Sequence, residues 1–335
     1  MKIGLALPHY DTSLAGRDVS YQANERVALQ AEESGYDSVW VSDHLFLDWS
    51  KYGGSSDPQG SLECWTTMAA LAARTRKVRL GSLALCNDFR NPALLAKMAA
   101  TLQLLSGGRL ELGVGAGWYE PEYRAGGITF DRAGRRIERL GESLEIIRRL
   151  LDGEELVFKG DHYTIDGAMC RPLPETAPRL WIGGKGDRLL RTVARVADGW
   201  NFAWLGATET YEERLQAFER ACEDEGREPD SVARSVGVKA LVGSGDADAR
   251  RRFERLIERT PPGLMEAFSE GGEVSWDSFR RNHFAGSVDE VVDRLGGLKE
   301  LGVEEVILSL GTLPFQVSDE EDIGIVGAEV APRLK

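Results

Sequence analysis

The chain has 335 residues, is 42% hydrophobic and 28% charged, and carries a formal net charge of −13. That excess of carboxylates excludes nucleic acid and anionic membrane surfaces as partners, because both attract proteins through cationic neutralisation of phosphate. No apolar run approaches the roughly 20 residues that cross a bilayer, and the opening MKIGLALPHYD, cut by Pro8 and Asp11, is too short for a secretory leader.

Short apolar runs alternate with helical patterns along most of the chain. Residues 2–7 predict a strand, and 20–35 a helix with Ser20 as N-cap and Gly35 as its stop. Strand 38–42, helix 61–74, strand 78–85 and helix 92–106 follow, the last with Pro92 in its first turn and Gly107 beyond its end. Strand 109–114 precedes a long helix near 130–151. The second half repeats the plan: strand 179–183, helix 186–197, strand 199–203, helix 209–226, strand 235–242, helix 246–259, helix 287–301, strand 304–310 and a last helix over 319–333. About eight Val/Ile/Leu-rich strands, most followed by a helix, predict a parallel sheet closed into a single (β/α)8 TIM barrel of the α/β class over residues 1–335. Two segments fall outside the repeat. Residues 152–178 read as a small hairpin insertion, and 260–284, rich in Gly, Pro and aromatics, as a functional loop or a disordered one. The charged runs RRIERLGESLEIIRRL and DARRRFERLIER read as solvated helix faces. The four cysteines, at 64, 86, 170 and 222, lack CxxC spacing and read as reduced thiols in a cytoplasmic protein. The four histidines form no HxH or HxxxH pair, so no metal site is expected.

Ligands of such a barrel bind at the C-terminal ends of its strands. His9 and Tyr10 follow the first strand, and Ser42, Asp43 and His44 the second. Adjacent residues point in different directions, so Ser42, Asp43 and His44 do not form a triad. His44 alone is a candidate proton donor and acceptor, or else a histidine hydrogen-bonded at the rim. After strand four, GVGAGWYEPEY places Gly115, Ala116, Gly117, Trp118 and Tyr119 at the rim. It lacks the last glycine of a G-x-G-x-x-G fingerprint. Its glycines suit close approach of a flat ligand, or the two rings are simply core under a loop. After strand five, Gly183, Gly184 and Lys185 precede a helix, which suits an anion site or a relaxed βα turn.

Taken together, SVWVSDHL, ECWTTMAALAARTRKVRLGS, FRNPALLAKMAATLQLLSGGRLELGVGAGWYEPEY, RLWIGGKG and VADGWN resemble the luciferase-like flavin and deazaflavin oxidoreductases. The likeness runs from residue 1 to about 205 and returns at 286–308, leaving 246–284 unmatched. It implies a TIM barrel that holds coenzyme F420 or FMN, most like the F420-dependent branch. It also implies a cis peptide at Leu83–Ala84 behind the central ring. By position, Asp43 and His44 lie beside that ring, with His44 the acid/base; Leu83, Ala84 and Cys86 line it; Gly115, Ala116, Gly117 and Trp118 cover one side; and Gly183, Gly184 and Lys185 hold the phosphate. Lys51, Lys185 and Arg188 are candidates for the anionic tail, while Glu120 and Glu122 tie the loop to the rim. The sugar-phosphate dehydrogenases of this group carry a carboxylate where this chain has Trp118, which points to a flatter or more apolar substrate.

The expected function is hydride transfer between the deazaflavin C5 and a small organic substrate, by a cytoplasmic homodimer. An FMN-dependent monooxygenase and a non-catalytic flavin-binding barrel are the alternatives.

Overall fold

The computed structural model describes residues 1–50, 54–206, 208–260, 264 and 274–335. Twelve strands are present among these residues: β1 (Lys2–Ala6), β2 (Ser38–Val41), β3 (Arg79–Ser82), β4 (Leu85–Cys86), β5 (Leu110–Gly115), β6 (Glu155–Lys159), β7 (Thr164–Met169), β8 (Arg179–Gly183), β9 (Gly199–Leu205), β10 (Ala233–Gly243), β11 (Phe284–Ser287) and β12 (Glu305–Ser309). Eight of them close a parallel barrel in the order β12, β1, β2, β3, β5, β8, β9, β10, with β10 returning to β12. Strands β6 and β7 form a separate antiparallel hairpin.

Ten helices matter below: α1 (Tyr21–Glu33), α2 (Cys64–Arg74), α3 (Pro92–Ser106), α4 (Glu120–Ala125), α5 (Ala133–Leu151), α6 (Asp187–Val196), α7 (Thr208–Asp224), α8 (Asp246–Arg259), α9 (Trp276–Asn282) and α10 (Val288–Glu300). Their starts follow the sequence. The Ser20 side chain accepts from Ala23 N, and Asn91 accepts from Ala93 N and Leu94 N, each meeting orphan amides of a first turn. Gly107 ends α3 in the left-handed region. Ser287 and Glu290 form a reciprocal capping box at α10.

Three expectations are corrected. The strand expected over 78–85 stops at Ser82; the chain turns through a cis Leu83–Ala84 bond, as the resemblance implies, and pairs again only at β4. A second non-prolyl cis bond joins Ala203 to Trp204. Segment 260–284 is not all irregular, since it contains α9 and runs into β11, which pairs with the C-terminal end of β10. Pro261–Gly263 and Met265–Glu273 of that segment, and Lys51, lie outside the described residues. The charged face of α5 is also not all solvated, because Arg136 is only 8% exposed.

The N-terminal end of the barrel is filled. Arg79 donates to Glu111 at 2.6 Å and to Glu305 at 2.8 Å, and Arg179 donates to Glu111 at 2.6 Å. Trp181 Nε1 also donates to Glu111, at 2.6 Å, while Trp40 Nε1 donates to Ser38 at 2.7 Å. Each buried carboxylate therefore has a guanidinium partner. Gly81 and Gly199 make room for the two indoles: an added Cβ would lie 2.1 Å from Trp40 and 2.2 Å from Trp181. A ligand must therefore use the other end.

Candidate active site

The C-terminal end opens into a cavity of about 590 Å³. Residues of β4 and β9, and residues at or beyond the ends of β1, β2, β3, β5, β8 and β12, line it, together with the first turns of α5 and α6. The residues expected around the ring and phosphate all line it: Asp43, His44, Leu83, Ala84, Cys86, Gly115, Ala116, Gly117, Trp118, Gly183, Gly184 and Lys185; Arg188, expected at the anionic tail, is not among the lining residues.

One stretch of wall is built from absent side chains. Gly115 and Gly183 stand on adjacent strands with Ala84 opposite; an added Cβ would meet Ala84 Cβ at 3.5 Å and 3.4 Å respectively. Neither glycine has a positive φ. Space, not backbone conformation, is what they supply: this stretch of wall carries no side chain larger than the Ala84 methyl. Gly117 serves a different purpose. Its φ is +74°, and an added Cβ would lie 1.9 Å from the Tyr123 hydroxyl, so its missing side chain makes room for Tyr123 behind the wall.

His44 faces the cavity in a fixed orientation. Its Nδ1 lies 2.8 Å from Glu122 Oε2. The other carboxylate oxygen of Glu122 accepts from Leu45 N at 2.6 Å and Phe46 N at 3.0 Å. With Glu122 ionised, Nδ1–H donates and Nε2 is left as the basic nitrogen. Trp118 and Tyr119 stand edge-on to the imidazole, with centroids at 5.7 Å and 6.2 Å. Glu122 is thus more than a tie between loop and rim; it is 2% exposed and holds the imidazole through Nδ1.

The other ionisable groups of the wall are engaged or inert. Asp43 is buried; it accepts from Arg90 at 2.6 and 3.0 Å and from Cys86 N at 2.9 Å. It therefore anchors the turn after β3. Arg90 also donates to Glu63, the N-cap of α2, at 2.5 Å. Burial pushes the Cys86 thiol up to about 12, and its Sγ rests 3.0 Å from Tyr123 Oη. Burial, with the Asp48 contact, also raises Tyr119 to about 12. Neither group exchanges a proton near neutrality. His9 is fully buried, with Nδ1 at 2.9 Å from Leu7 O and Nε2 at 2.8 Å from Ser42 Oγ; burial lowers it to about 4.

The polar mouth lies where α5 and α6 begin. Gly186 caps α6 without a side-chain bond, and Arg132 does the same for α5, so both first turns keep free amides. Gly184 has φ +137° and donates to Asn201 O at 3.1 Å. Lys185 is exposed, its Nζ 5.3 Å from the Phe202 ring centroid. Arg136, missed from sequence, donates to Ala116 O at 3.2 Å and Gly117 O at 3.3 Å, holding the glycine loop. Arg188 sits beside Gly134 of α5.

The chain matches the family model described as luciferase-like monooxygenase over residues 1–305. The chain belongs to the luciferase-like monooxygenase family. It is 35% identical to an F420-dependent glucose-6-phosphate dehydrogenase of Amycolatopsis mediterranei over 68% of this chain and 66% of that one. It is 24% identical to the 5,10-methylenetetrahydromethanopterin reductase of Archaeoglobus fulgidus, over 95% and 97% of the two chains. The match to the glucose-6-phosphate dehydrogenases spans about two thirds of their length. Among solved structures, an F420-dependent secondary alcohol dehydrogenase bound to an F420–acetone adduct superposes with a TM-score of 0.79 and 22% identity, over 100% and 99% of the chains. As expected of a TIM barrel, the cavity lies at the carboxyl ends of the strands. No described helix is long and apolar enough to cross a membrane.

Proposed function

We propose that this luciferase-like protein is a coenzyme F420-dependent oxidoreductase that moves a hydride between the deazaflavin C5 and a small organic substrate. The observation that carries the reading is the patch of Ala84, Gly115 and Gly183, bare of large side chains, in one cavity with the oriented imidazole of His44. When bound, the deazaflavin supplies a two-electron acceptor carbon that reacts poorly with oxygen. The protein supplies position and proton handling. Leu83, Ala84, Cys86, Gly115 and Gly183 would lie against the ring, with Ala116, Gly117 and Trp118 covering it. Asp43 holds the turn that carries Ala84 and Cys86. The amides at the start of α6, with Gly184 and Lys185, would seat the phosphate. Arg188 and Arg136 are nearby cations for an anionic tail. His44 Nε2 would exchange the substrate proton, with Glu122 keeping that nitrogen basic.

We further take residues 1–335 as one barrel unit, with 152–178 and 260–284 as additions to it, working in the cytoplasm as a homodimer. Leu94, Leu104 and Leu105 of α3 are 55%, 43% and 64% exposed on one helix face and offer an apolar surface for a second copy.

The test is a fluorescence titration of the purified protein with F420 and, separately, FMN, followed by anaerobic substrate addition while the absorbance of oxidised F420 is recorded. Saturable F420 binding and bleaching support the reading. Tight FMN binding with oxygen consumption would replace it with the monooxygenase. Binding of F420 with no bleaching by any reductant would replace it with a non-catalytic carrier.

A further inference from the structure

Gly184, in the turn between β8 and α6, is held at both of its backbone polar groups by consecutive residues of β9. Its N–H donates to Asn201 O at 3.1 Å, and its C=O accepts from Trp200 Nε1 at 2.7 Å. The second bond pairs a buried indole with a loop carbonyl. Trp200 is 0% exposed. Its ring stacks with Tyr211 and Phe218 of α7, the centroids 5.8 Å and 5.0 Å away and the planes inclined by 17° and 20°. The indole is thus fixed between β9 and α7. It takes no part in the cavity wall, whereas Gly184 and Lys185 do.

That bond sets the direction of the next amide. Across a trans peptide the C=O and the following N–H point opposite ways, and the bond from Gly184 to Lys185 is trans. With the Gly184 carbonyl drawn to Trp200, the Lys185 N–H points away from the indole. Among the described residues, the amides of Lys185, Gly186 and Asp187 meet no protein acceptor. Residue 184 is a glycine at φ +137°, so no side chain of its own restrains this peptide. Without the indole bond the carbonyl would be free to rotate and set its negative end against a bound anion. Asp187, a carboxylate of the same turn, is engaged by Arg214 of α7. The helix that stacks on the indole therefore also compensates this charge.

We propose that Trp200 is a positioning residue for phosphate binding: its indole N–H fixes the Gly184 carbonyl and so aims the Lys185 amide at a ligand phosphate. This deepens, and rests on, the reading of the α6 start as the phosphate seat. The position needs a donor carried on a large, rigid ring. The stack with Tyr211 and Phe218 supplies the rigidity, Nε1 supplies the bond, and the indole nitrogen has no acceptor role to compete with it. Phenylalanine keeps a ring in the stack and lacks the donor.

The test compares ligands with and without phosphate. F420, its phosphate-free deazaflavin alcohol, FMN and riboflavin are each titrated into the full-length parent and into Trp200→Phe, following the fluorescence anisotropy of the ligand. Circular dichroism and thermal melting report the fold. Trp200→Phe should weaken F420 binding about tenfold and binding of the phosphate-free alcohol less than about twofold. Position 200 is also replaced by 3-benzothienylalanine, which keeps the bicyclic volume without the N–H, and the same selective loss is expected. A ring that serves only the core would change both affinities equally or neither. Equal losses, or an unchanged F420 affinity in a folded variant, therefore overturn the proposal. If the parent takes FMN in place of F420, the F420 reading falls. Trp200 then keeps its role if the loss is confined to FMN, and loses it if riboflavin is weakened equally. A parent that binds neither phosphorylated ligand more tightly than its phosphate-free counterpart overturns the phosphate seat and the role of Trp200 together.

Discussion

Replacing Glu122 with Gln tests the proton path where the structure is most specific. The carboxylate accepts three hydrogen bonds, from Leu45 N at 2.6 Å, Phe46 N at 3.0 Å and His44 Nδ1 at 2.8 Å. In Glu122→Gln the amide oxygen can still serve the two backbone amides. The NH2 group then faces His44 Nδ1 and donates to it, so the ring proton moves to Nε2 and the basic nitrogen turns away from the cavity. Stability should fall by only about 1–2 kcal/mol, since one charge-assisted bond becomes a neutral one. Turnover should fall by about 100-fold, the low end of what general acid–base catalysis contributes. The assay is anaerobic F420 bleaching for kcat, fluorescence for F420 affinity and urea unfolding for stability. F420 affinity should stay within about threefold, because Glu122 holds the imidazole rather than the floor. Adding Glu122→Gln to His44→Ala should cost little more than His44→Ala alone, the signature of residues acting as a unit. Unchanged kcat in a folded Glu122→Gln protein would refute the role given to this pair.

Gly183→Val should abolish F420 binding by fluorescence while the circular dichroism spectrum stays native, because the new side chain enters the space beside Ala84; retained binding would remove the floor from the site. His9 is lowered by burial from 6.5 to about 4, so the unfolded chain binds its proton first as the medium is acidified. Stability from His9 is therefore complete above pH 6.5 and is lost as pH falls toward 4, by about 3 kcal/mol in all; urea unfolding at pH 7 and pH 4 should show a smaller drop for His9→Gln than for the parent. Leu105→Glu should convert a dimer to a monomer in light scattering at unchanged barrel stability, and an unaltered mass would place the interface elsewhere.

The barrel was legible because its signals are local. The strands are short Val/Ile/Leu runs, and Ser20, Pro92 and Gly107 punctuate the helices. The site was legible in part, since strand ends are identifiable once a barrel is inferred. What escaped depends on distance in the chain. Glu122 is 78 residues from His44, and nothing in EPEY announces an imidazole partner. Arg136 stands in a run of charges that periodicity alone assigns to solvent, yet its guanidinium holds two carbonyls of the glycine loop. The strand over 78–85 shows no breaker at Leu83, so its interruption could come only from the resemblance. Helix α9 and strand β11 lie among glycines and aromatics that mask their period; β11 is fixed by pairing with β10, a contact more than 40 residues away.

The account rests on the carboxyl-end cavity being the place where F420 binds, and a crystal structure of the protein with bound F420 tests this most directly. The account predicts the ring lying against Ala84, Gly115 and Gly183, with its C5 on the side of His44 and the phosphate on the amides that open α6. Electron density for the ring at any other place, or a ring held there with His44 turned away from it, would contradict it.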